Sequence, residues 1–203
     1  MKIIKINPSK PSKKTIAEAV KTMQLGGLVV YPTDTCYGLG ADITNPVAIA
    51  KIYKMKGRNP NKPLSMIIKN FSEIENMIEI DKKRKKFILS YLPGPVTFIL
   101  LNTDYKFLRQ NTIGLRIPDY KITKLISELA NFPYTTTSAN ISGKDVCYTT
   151  KDIIEQFKDR VIQPDLILDG GDLSDNVPST VIDIIKWPPK ILRQGSLEIK
   201  LSK

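Results

Sequence analysis

The sequence predicts a protein of the α/β class, because segments with helical spacing of apolar residues alternate with short apolar runs of strand length. Pro and Gly stand at the ends of most of these segments, as expected where an element stops and the chain turns. The 203 residues are enough for one domain with a sizeable core and few for two independent ones. We therefore expect residues 1–203 to form a single domain.

The first third of the chain contains two predicted helices and two predicted strands. Apolar residues after Thr15 follow helical spacing as far as a Gly-Gly pair, which can end a helix. The apolar run 28–31 is typical of a buried strand. Thr44 is the predicted cap of a second helix that ends near Lys56, and residues 64–68 form the next predicted strand.

The rest of the chain continues the alternation. A Ser-x-x-Glu pattern that begins at Ser72 matches a capping box and predicts a short helix, and a Lys-rich helix is expected over 81–92. The remaining predicted elements are strands over 96–101 and 113–117, a helix around 122–129, a strand over 134–137, a helix over 150–157, and strands over 166–168 and 180–185. This pattern does not determine whether the strands run parallel.

The composition excludes several kinds of chemistry. The chain has no histidine, which removes Ser-His-Asp and Cys-His machinery and His-ligated metal sites. No apolar run approaches the roughly 20 residues that span a bilayer, and the first residues lack the apolar core and cleavage site of a secretory signal. The two cysteines, Cys36 and Cys147, form no disulfide framework, so we expect a cytoplasmic protein.

The net charge of +11 has two interpretations. One is a polyanionic ligand, such as a nucleotide or RNA. The other is a compositional bias toward lysine, which places charge on a solvated surface. The run of five basic residues over 82–86 is expected to be such a solvated helix face.

Four segments place polar residues and glycines beside predicted apolar elements. They are Tyr-Pro-Thr-Asp-Thr-Cys-Tyr-Gly-Leu-Gly over 31–40, Lys-Met-Lys-Gly-Arg-Asn-Pro over 54–60, Gly-Leu-Arg-Ile-Pro over 114–118 and Thr-Thr-Thr-Ser-Ala-Asn-Ile-Ser-Gly over 135–143. Hydroxyls and glycines at strand ends suit a small polar ligand that the backbone approaches closely. Arginine side chains can bind a carboxylate or phosphate group through two hydrogen bonds.

Each of these segments also has a purely structural interpretation. Thr33 and Asp34 can bond their own backbone in a turn that Pro initiates. The cations at the end of the second helix interact favourably with the helix dipole. Arg116 could lie on a solvated strand face, and the hydroxyls of 135–143 could cap the next element, although they outnumber what one cap needs.

Six motifs, taken in order, resemble those of the YrdC/Sua5 family. They are Y-P-T-D-T-x-Y-G-L-G, K-G-R-x-x-x-x-P-L, L-P-G-P-x-T, G-L-R-x-P, T-S-A-N-x-S-G, and P-S-T-V-I-D followed by I-L-R-x-G. Each motif alone is modest, but the six in this order are specific. The resemblance is to the short single-domain form and implies a YrdC-like core over about residues 15–195.

The resemblance implies a fold and an activity. The fold would be an open, twisted mixed sheet flanked by helices, with a basic concave site. The activity would be that of an L-threonylcarbamoyladenylate synthase, which makes threonylcarbamoyl-AMP and diphosphate from L-threonine, bicarbonate or CO2, and ATP. The product serves the threonylcarbamoyl-adenosine modification of tRNA, so tRNA and tRNA-modifying proteins are candidate partners. Mg2+ would arrive with ATP, and neither a protein-bound metal nor a membrane partner is expected.

The resemblance also implies roles for particular residues. The family's K-x-R pair falls on Lys56 and Arg58 and its S-x-N pair on Ser138 and Asn140, and these four are the expected catalytic residues. The expected ATP site consists of Lys54, Lys56, Arg58, Thr112, Ser138, Asn140 and Arg193. The expected L-threonine site consists of Thr33, Arg116, Thr136 and Ser179.

Three alternatives remain open at this point. Either Asp34 or bicarbonate could take the proton from the threonine amine. Residues 111–116 are reminiscent of close relatives with a degraded S-x-N motif, so a paralogue that binds nucleotide or double-stranded RNA without synthase activity is an alternative. A non-catalytic RNA-binding module would explain the charge, but not the hydroxyls and glycines at strand ends.

Overall fold

The computed structural model of the chain describes residues 1–77, 80–101, 111–173 and 176–200. In these ranges the helices are α1 (Lys13–Gln24), α2 (Pro46–Lys56), α3 (Phe71–Met77), α4 (Lys82–Leu89), α5 (Lys121–Leu129) and α6 (Thr150–Phe157). The strands are β1 (Lys2–Lys5), β2 (Val29–Tyr31), β3 (Gly38–Gly40), β4 (Ser65–Ile67), β5 (Val96–Leu101), β6 (Thr112–Arg116), β7 (Tyr134–Thr135), β8 (Thr137–Ser138), β9 (Leu166–Asp169), β10 (Thr180–Asp183) and β11 (Lys190–Arg193). The predicted α/β class is confirmed.

The described strands form two sheets. The first contains five strands in the order β1-β9-β2-β3-β8, and the second contains six in the order β11-β10-β5-β6-β4-β7. Both are mixed: β2 is parallel to β9 and antiparallel to β3, and β6 is parallel to β4 and antiparallel to β5. The expected mixed architecture is confirmed, with the strands divided between two sheets.

Strand β3 lies within residues 31–40, a segment predicted to contact a small polar ligand. Its glycines make room for an aromatic ring, since a Cβ on Gly40 would lie 2.6 Å from the ring of Tyr31 on the neighbouring strand, and one on Gly38 would lie 3.1 Å from it. The Tyr31 hydroxyl donates to the carbonyl oxygen of Thr135 at 2.8 Å, which ties β2 to the end of β7. The glycines of this segment therefore have a packing role.

Two helix starts differ from prediction. Asn45, not Thr44, caps α2, because its side-chain oxygen accepts from the second and third backbone N–H groups of the helix at 3.0 and 3.1 Å. Asn70 caps α3 instead of Ser72, and its Oδ1 accepts from the Glu73 N–H at 3.2 Å. Asparagine is as good a cap as serine or threonine, so neighbouring candidates are not separated by residue type.

The six-stranded sheet has two unlike faces, because side chains alternate along each strand. The apolar face belongs to the largest hydrophobic cluster of the described residues and carries Met66, Val96, Phe98, Leu100, Ile113, Leu115 and Ile182. The opposite face, called the polar face below, carries Ser65, Thr97, Thr112, Gly114, Arg116 and, through β11, Arg193. Ile67, Ile99, Leu101 and Val181 lie on the same face between these residues.

The chain passes from one sheet to the other beside this polar face. Strand β7 is at the edge of the six-stranded sheet, β8 is at the edge of the five-stranded sheet, and Thr136 alone separates them. The Thr136 N–H donates to the carbonyl oxygen of Ser65 at 2.7 Å. Two residues later, Ser138 pairs with Gly38 of β3. The motif that begins at residue 137 therefore starts where the two sheets meet.

Candidate active site

The loop that follows β8 is held by the buried ammonium group of Lys56. Lys56 is the last residue of α2 and is 1% exposed. Its Nζ donates to the Ser138 carbonyl oxygen, to the Asn140 carbonyl oxygen at 2.7 Å and to Asn140 Oδ1 at 3.3 Å. The Ser138 hydroxyl also donates to Asn140 Oδ1, at 2.6 Å. The K-x-R and S-x-N motifs therefore meet, and Lys56 fixes the positions of Ser138 and Asn140.

Arg58 follows Lys56 with an unused donor. Gly57 ends α2 in the left-handed conformation, with φ of 59°, and turns the chain. The Arg58 Nη2 donates to the Pro63 carbonyl oxygen at 2.8 Å, whereas its Nε is buried without a hydrogen-bond partner. A buried donor that lacks a partner costs free energy, so an anionic ligand would be stabilised there.

Burial shifts the proton affinity of both cations. It lowers the pKa of the Arg58 guanidinium. Burial and, second, the Arg58 charge lower the pKa of Lys56 from 10.5 to about 7. An anion bound between these side chains would offset part of this penalty, because an opposite charge favours the protonated form.

A third cation, Arg193, lies on the polar face of the six-stranded sheet. Arg193 donates to the Ser179 carbonyl oxygen through Nε at 3.1 Å and through Nη2 at 2.7 Å, and Nη2 also donates to the Ser179 hydroxyl at 3.1 Å. The Ser179 hydroxyl is 3.0 Å from the hydroxyl of Thr97. Thr97 was not among the predicted site residues, although it is the last residue of the L-P-G-P-x-T motif, which was the signal that could have identified it.

Arg116 and Asp34 form a buried ion pair. Their side chains are 6% and 11% exposed, and Arg116 Nη2 contacts Asp34 Oδ1. The second carboxylate oxygen of Asp34 accepts from the Asp119 N–H at 3.3 Å, while Arg116 Nε is buried without a partner. Burial raises the pKa of the Asp34 carboxyl, and the Arg116 charge opposes that rise. A carboxylate and a guanidinium with an unused donor therefore lie side by side.

The charges of three of these cations act on the thiol of Cys36. Burial raises the pKa of Cys36, and the charges of Arg116, Arg193 and Lys56 all lower it. The Arg116 charge also lowers the pKa of Arg193, after the larger effect of burial. Cations from β6, β11 and α2 therefore all lie near enough to this thiol to affect its pKa. Because the thiol is buried and its pKa is raised, it packs the site and is poorly suited to be a nucleophile.

Two predicted threonine-site residues have other contacts. Thr33 is 1% exposed, and its hydroxyl donates to the Cys36 carbonyl oxygen at 2.8 Å and accepts from the Thr35 N–H at 3.1 Å. This matches the turn interpretation that the sequence left open. Thr136 is half-buried at the junction of the sheets. The roles of both residues toward L-threonine stay predictions.

Two predicted ATP-site residues lie apart from the cations. Lys54 is exposed, and two helical positions place it about 200° around α2 from Lys56. Thr112 is at the start of β6 and Arg116 at its end, which separates them by about 13 Å along the strand. The roles of both residues toward ATP stay predictions.

The described part of the chain contains no group of three or more acidic, cysteine or histidine residues arranged to hold a metal ion. Every helix in the same ranges falls short of the length and apolar character of a bilayer span. The polar groups of the candidate site are cationic side chains, hydroxyl groups and the carboxylate of Asp34.

Comparison with known proteins identifies the family. The Sua5/YciO/YrdC family model, described as "Telomere recombination", matches residues 21–195. The threonylcarbamoyl-AMP synthase of Pyrococcus abyssi is 34% identical over 180 residues, which are 86% of this chain and 52% of that protein. This chain therefore spans about half of the length of that relative.

Two solved structures share the fold. The crystal structure of P. abyssi Sua5 complexed with L-threonine has a TM-score of 0.88 and 32% identity, over 97% of this chain and 58% of that one. The crystal structure of Escherichia coli YciO has a TM-score of 0.88 and 28% identity, over 98% of both chains. The protein belongs to the Sua5/YciO/YrdC family.

Proposed function

We propose that this protein is an L-threonylcarbamoyladenylate synthase that makes threonylcarbamoyl-AMP for the modification of tRNA. The observation that carries the proposal is the Ser138–Asn140 loop, which the buried Lys56 holds, together with Arg116 and Arg193, whose charges act on the same thiol as Lys56. Such a site offers separate cations for a carboxylate and for phosphates. The names of the relatives supply the reaction to which these two binding functions correspond.

The carboxylate of L-threonine is assigned to Arg116. This side chain is fixed on a strand and has a buried donor, Nε, for a ligand oxygen. A guanidinium on a rigid element is well suited to hold a planar carboxylate. The L-threonine complex of P. abyssi Sua5 supports an amino-acid site in this fold. Thr33, Thr136 and Ser179 are assigned to the surroundings of the amine and hydroxyl groups.

The triphosphate is assigned to the other side of the site. Arg58 offers its unpartnered Nε, and Ser138 and Asn140 lie in the loop that Lys56 holds. In this arrangement Lys56 acts mainly by fixing that loop, since its ammonium already donates to three oxygen atoms. Arg193 adds a cation from the six-stranded sheet, and Lys54 and Thr112 remain proposed contacts of the nucleotide.

The reaction asks the protein for positioning and charge neutralisation more than for covalent chemistry. The threonine amine adds to CO2 to form a carbamate, with loss of a proton. One carbamate oxygen then forms a bond to the α-phosphorus of ATP, and the bond between the α-phosphorus and the bridging oxygen breaks to release diphosphate. Fixed cations stabilise the charge that develops, so a site without histidine is adequate. Mg2+ enters as part of the MgATP substrate.

The test measures diphosphate and threonylcarbamoyl-AMP from purified protein with MgATP, bicarbonate and L-threonine. We expect both products only when L-threonine is present, and about a 30- to 1,000-fold lower kcat/KM in Arg58→Ala, which loses a donor aimed at developing charge. Lys82→Ala, an exposed lysine of α4, is the control and should keep full activity. Folded protein that releases no threonine-dependent diphosphate would rule the proposal out.

The net charge of +11 supports a second candidate function. In this case the site would bind nucleotide or double-stranded RNA without forming the adenylate. ATP binding without product formation, or salt-sensitive RNA binding that persists in Arg58→Ala, would favour this candidate. Contact with tRNA or with tRNA-modifying proteins belongs to either proposal.

A further inference from the structure

The ion pair between Arg116 and Asp34 has unused bonding capacity on both sides. Arg116 carries five N–H donors; Nη2 contacts Asp34, and Nε is buried without a partner. An ionised carboxylate has about four acceptor positions. Asp34 accepts from Arg116, from the Asp119 N–H and from its own backbone N–H, which leaves about one position free. Each partner can therefore take a ligand group of the opposite charge while the pair persists.

The surrounding charges make the carboxylate important for a ligand that carries an ammonium group. Arg193 and Lys56 act on the same thiol as Arg116, so an ammonium group that binds near Arg116 meets a net positive charge. The Asp34 side chain is 11% exposed and contacts Arg116 directly. Asp119, the neighbouring acidic residue, is exposed. Among the described residues of the site, Asp34 is the carboxylate placed to offset an incoming positive charge.

We propose that Arg116 and Asp34 form one receptor for the zwitterion of an α-amino acid, in which Arg116 binds the α-carboxylate and Asp34 binds the α-ammonium group. The proposal rests on the proposed function for its substrate, L-threonine. One carbon joins the two charged groups of an α-amino acid. A ligand whose carboxylate reaches Arg116 Nε therefore brings its ammonium group beside Asp34.

The receptor makes Asp34 a determinant of specificity. Both an α-amino acid and an α-hydroxy acid bring a carboxylate close to that of Asp34, but the α-hydroxy acid has no ammonium group to offset the repulsion. An α-amino amide would keep the ammonium contact and lose the Arg116 contact. Both analogues should therefore bind more weakly than the amino acid.

The same contact gives the ammonium proton a destination. One N–H bond of the ammonium group breaks, its electron pair stays on nitrogen, and an O–H bond forms on Asp34. The products are a neutral amine and a neutral carboxylic acid, and the amine can then add to CO2. Burial raises the pKa of Asp34, which makes its carboxylate a stronger base than that of an exposed aspartate.

The experiment measures binding by calorimetry in the absence of ATP, so it does not depend on catalysis. The ligands are L-threonine and 2,3-dihydroxybutanoate of matching configuration, in which a hydroxyl replaces the amine. We expect the native protein to prefer L-threonine by about tenfold or more. Asp34→Asn should lose that preference, because its affinity for L-threonine falls at least about tenfold while its affinity for the hydroxy acid is kept or improved.

Asp119→Asn is the matched control and should keep the preference, since Asp119 meets Asp34 through its backbone N–H. If Asp34→Asn does not fold, the native protein still decides, because equal affinity for the two ligands would overturn the receptor. An Asp34→Asn variant that weakens both ligands equally, or an Asp119→Asn variant that alone loses the preference, would also overturn it. If the native protein prefers L-threonine over the hydroxy acid but forms no adenylate, the receptor proposal is supported and the synthase function is ruled out. If the native protein forms the adenylate and Asp34→Asn keeps the preference for L-threonine, the synthase function is supported and the receptor proposal is ruled out.

Discussion

Replacement of Lys56 by Met removes a buried ammonium group and keeps most of the side-chain volume. In the native protein this group donates to two backbone carbonyl oxygens and one side-chain oxygen of the Ser138–Asn140 loop. Methionine fills the space but donates no hydrogen bond. The change therefore tests whether Lys56 acts by holding the loop.

The size of the effect follows from what each acceptor retains. The Ser138 carbonyl oxygen still accepts from the Asn140 N–H at 2.9 Å, and Asn140 Oδ1 still accepts from the Ser138 hydroxyl at 2.6 Å. The Asn140 carbonyl oxygen is the acceptor that loses its described donor. One buried acceptor without a partner costs about 1–3 kcal/mol, a fraction of the roughly 5–15 kcal/mol that keeps a domain folded. We expect a folded protein with a displaced loop.

The assay is diphosphate release at about pH 7, with each substrate varied in turn. If the displaced loop no longer contacts the nucleotide, the free energy of ATP binding becomes less favourable by about 1.4–2.8 kcal/mol. The KM for ATP then rises by about 10- to 100-fold. The KM for L-threonine should change less than about twofold, because Arg116 is fixed on the other sheet. Lys82→Met, on the exposed side of α4, should change neither constant. A folded Lys56→Met protein with an unchanged KM for ATP, or with equal increases for both substrates, would refute the reasoning.

Two further predictions concern stability. In Gly195→Ala, the new Cβ would lie 2.1 Å from the Pro178 carbonyl oxygen and 2.4 Å from the Thr180 nitrogen, so we expect a loss of about 1–3 kcal/mol in urea unfolding, and an unchanged midpoint would contradict the expected clash. Because the pKa of Lys56 falls from 10.5 to about 7 on folding, the unfolded chain binds more protons between these pH values, and stability rises with pH across that window. This rise should be smaller in Lys56→Met when urea unfolding is compared at about pH 6.5, 8 and 9.5, and parallel pH profiles would contradict the shift.

The sequence predicted the elements whose apolar patterns are long or continuous, and missed those that lack such patterns. The helix α5 and the strand β5 bury apolar residues at regular spacing, so their existence follows from periodicity. Strand β1 has mostly exposed residues and β11 lies at a sheet edge, so neither carries an apolar run. Strand β3 contains two glycines, and its strand character depends on the Tyr31 ring of the neighbouring strand. No local pattern reports such a contact.

The candidate site was predictable as a set of motifs but not as a geometry. Lys56, Ser138 and Asn140 were identified from the sequence, yet the direction of the Lys56 ammonium toward the loop depends on how α2 packs against β8. The ion pair between Asp34 and Arg116 joins residues 82 positions apart in sequence, and it forms only when the loop between β2 and β3 lies against the end of β6. Spacing along the chain therefore predicts which residues matter, and the fold determines which of them touch.

The single residue between β7 and β8 has a consequence for the width of the site. Because the chain changes sheets at Thr136, the Ser138–Asn140 loop is attached to one sheet, and Arg116 and Arg193 are attached to the other. The distance between the two groups of side chains therefore depends on how the two sheets pack, as well as on the conformation of the loop. A ligand that contacts both groups bridges the two sheets, so its length must match the distance between them.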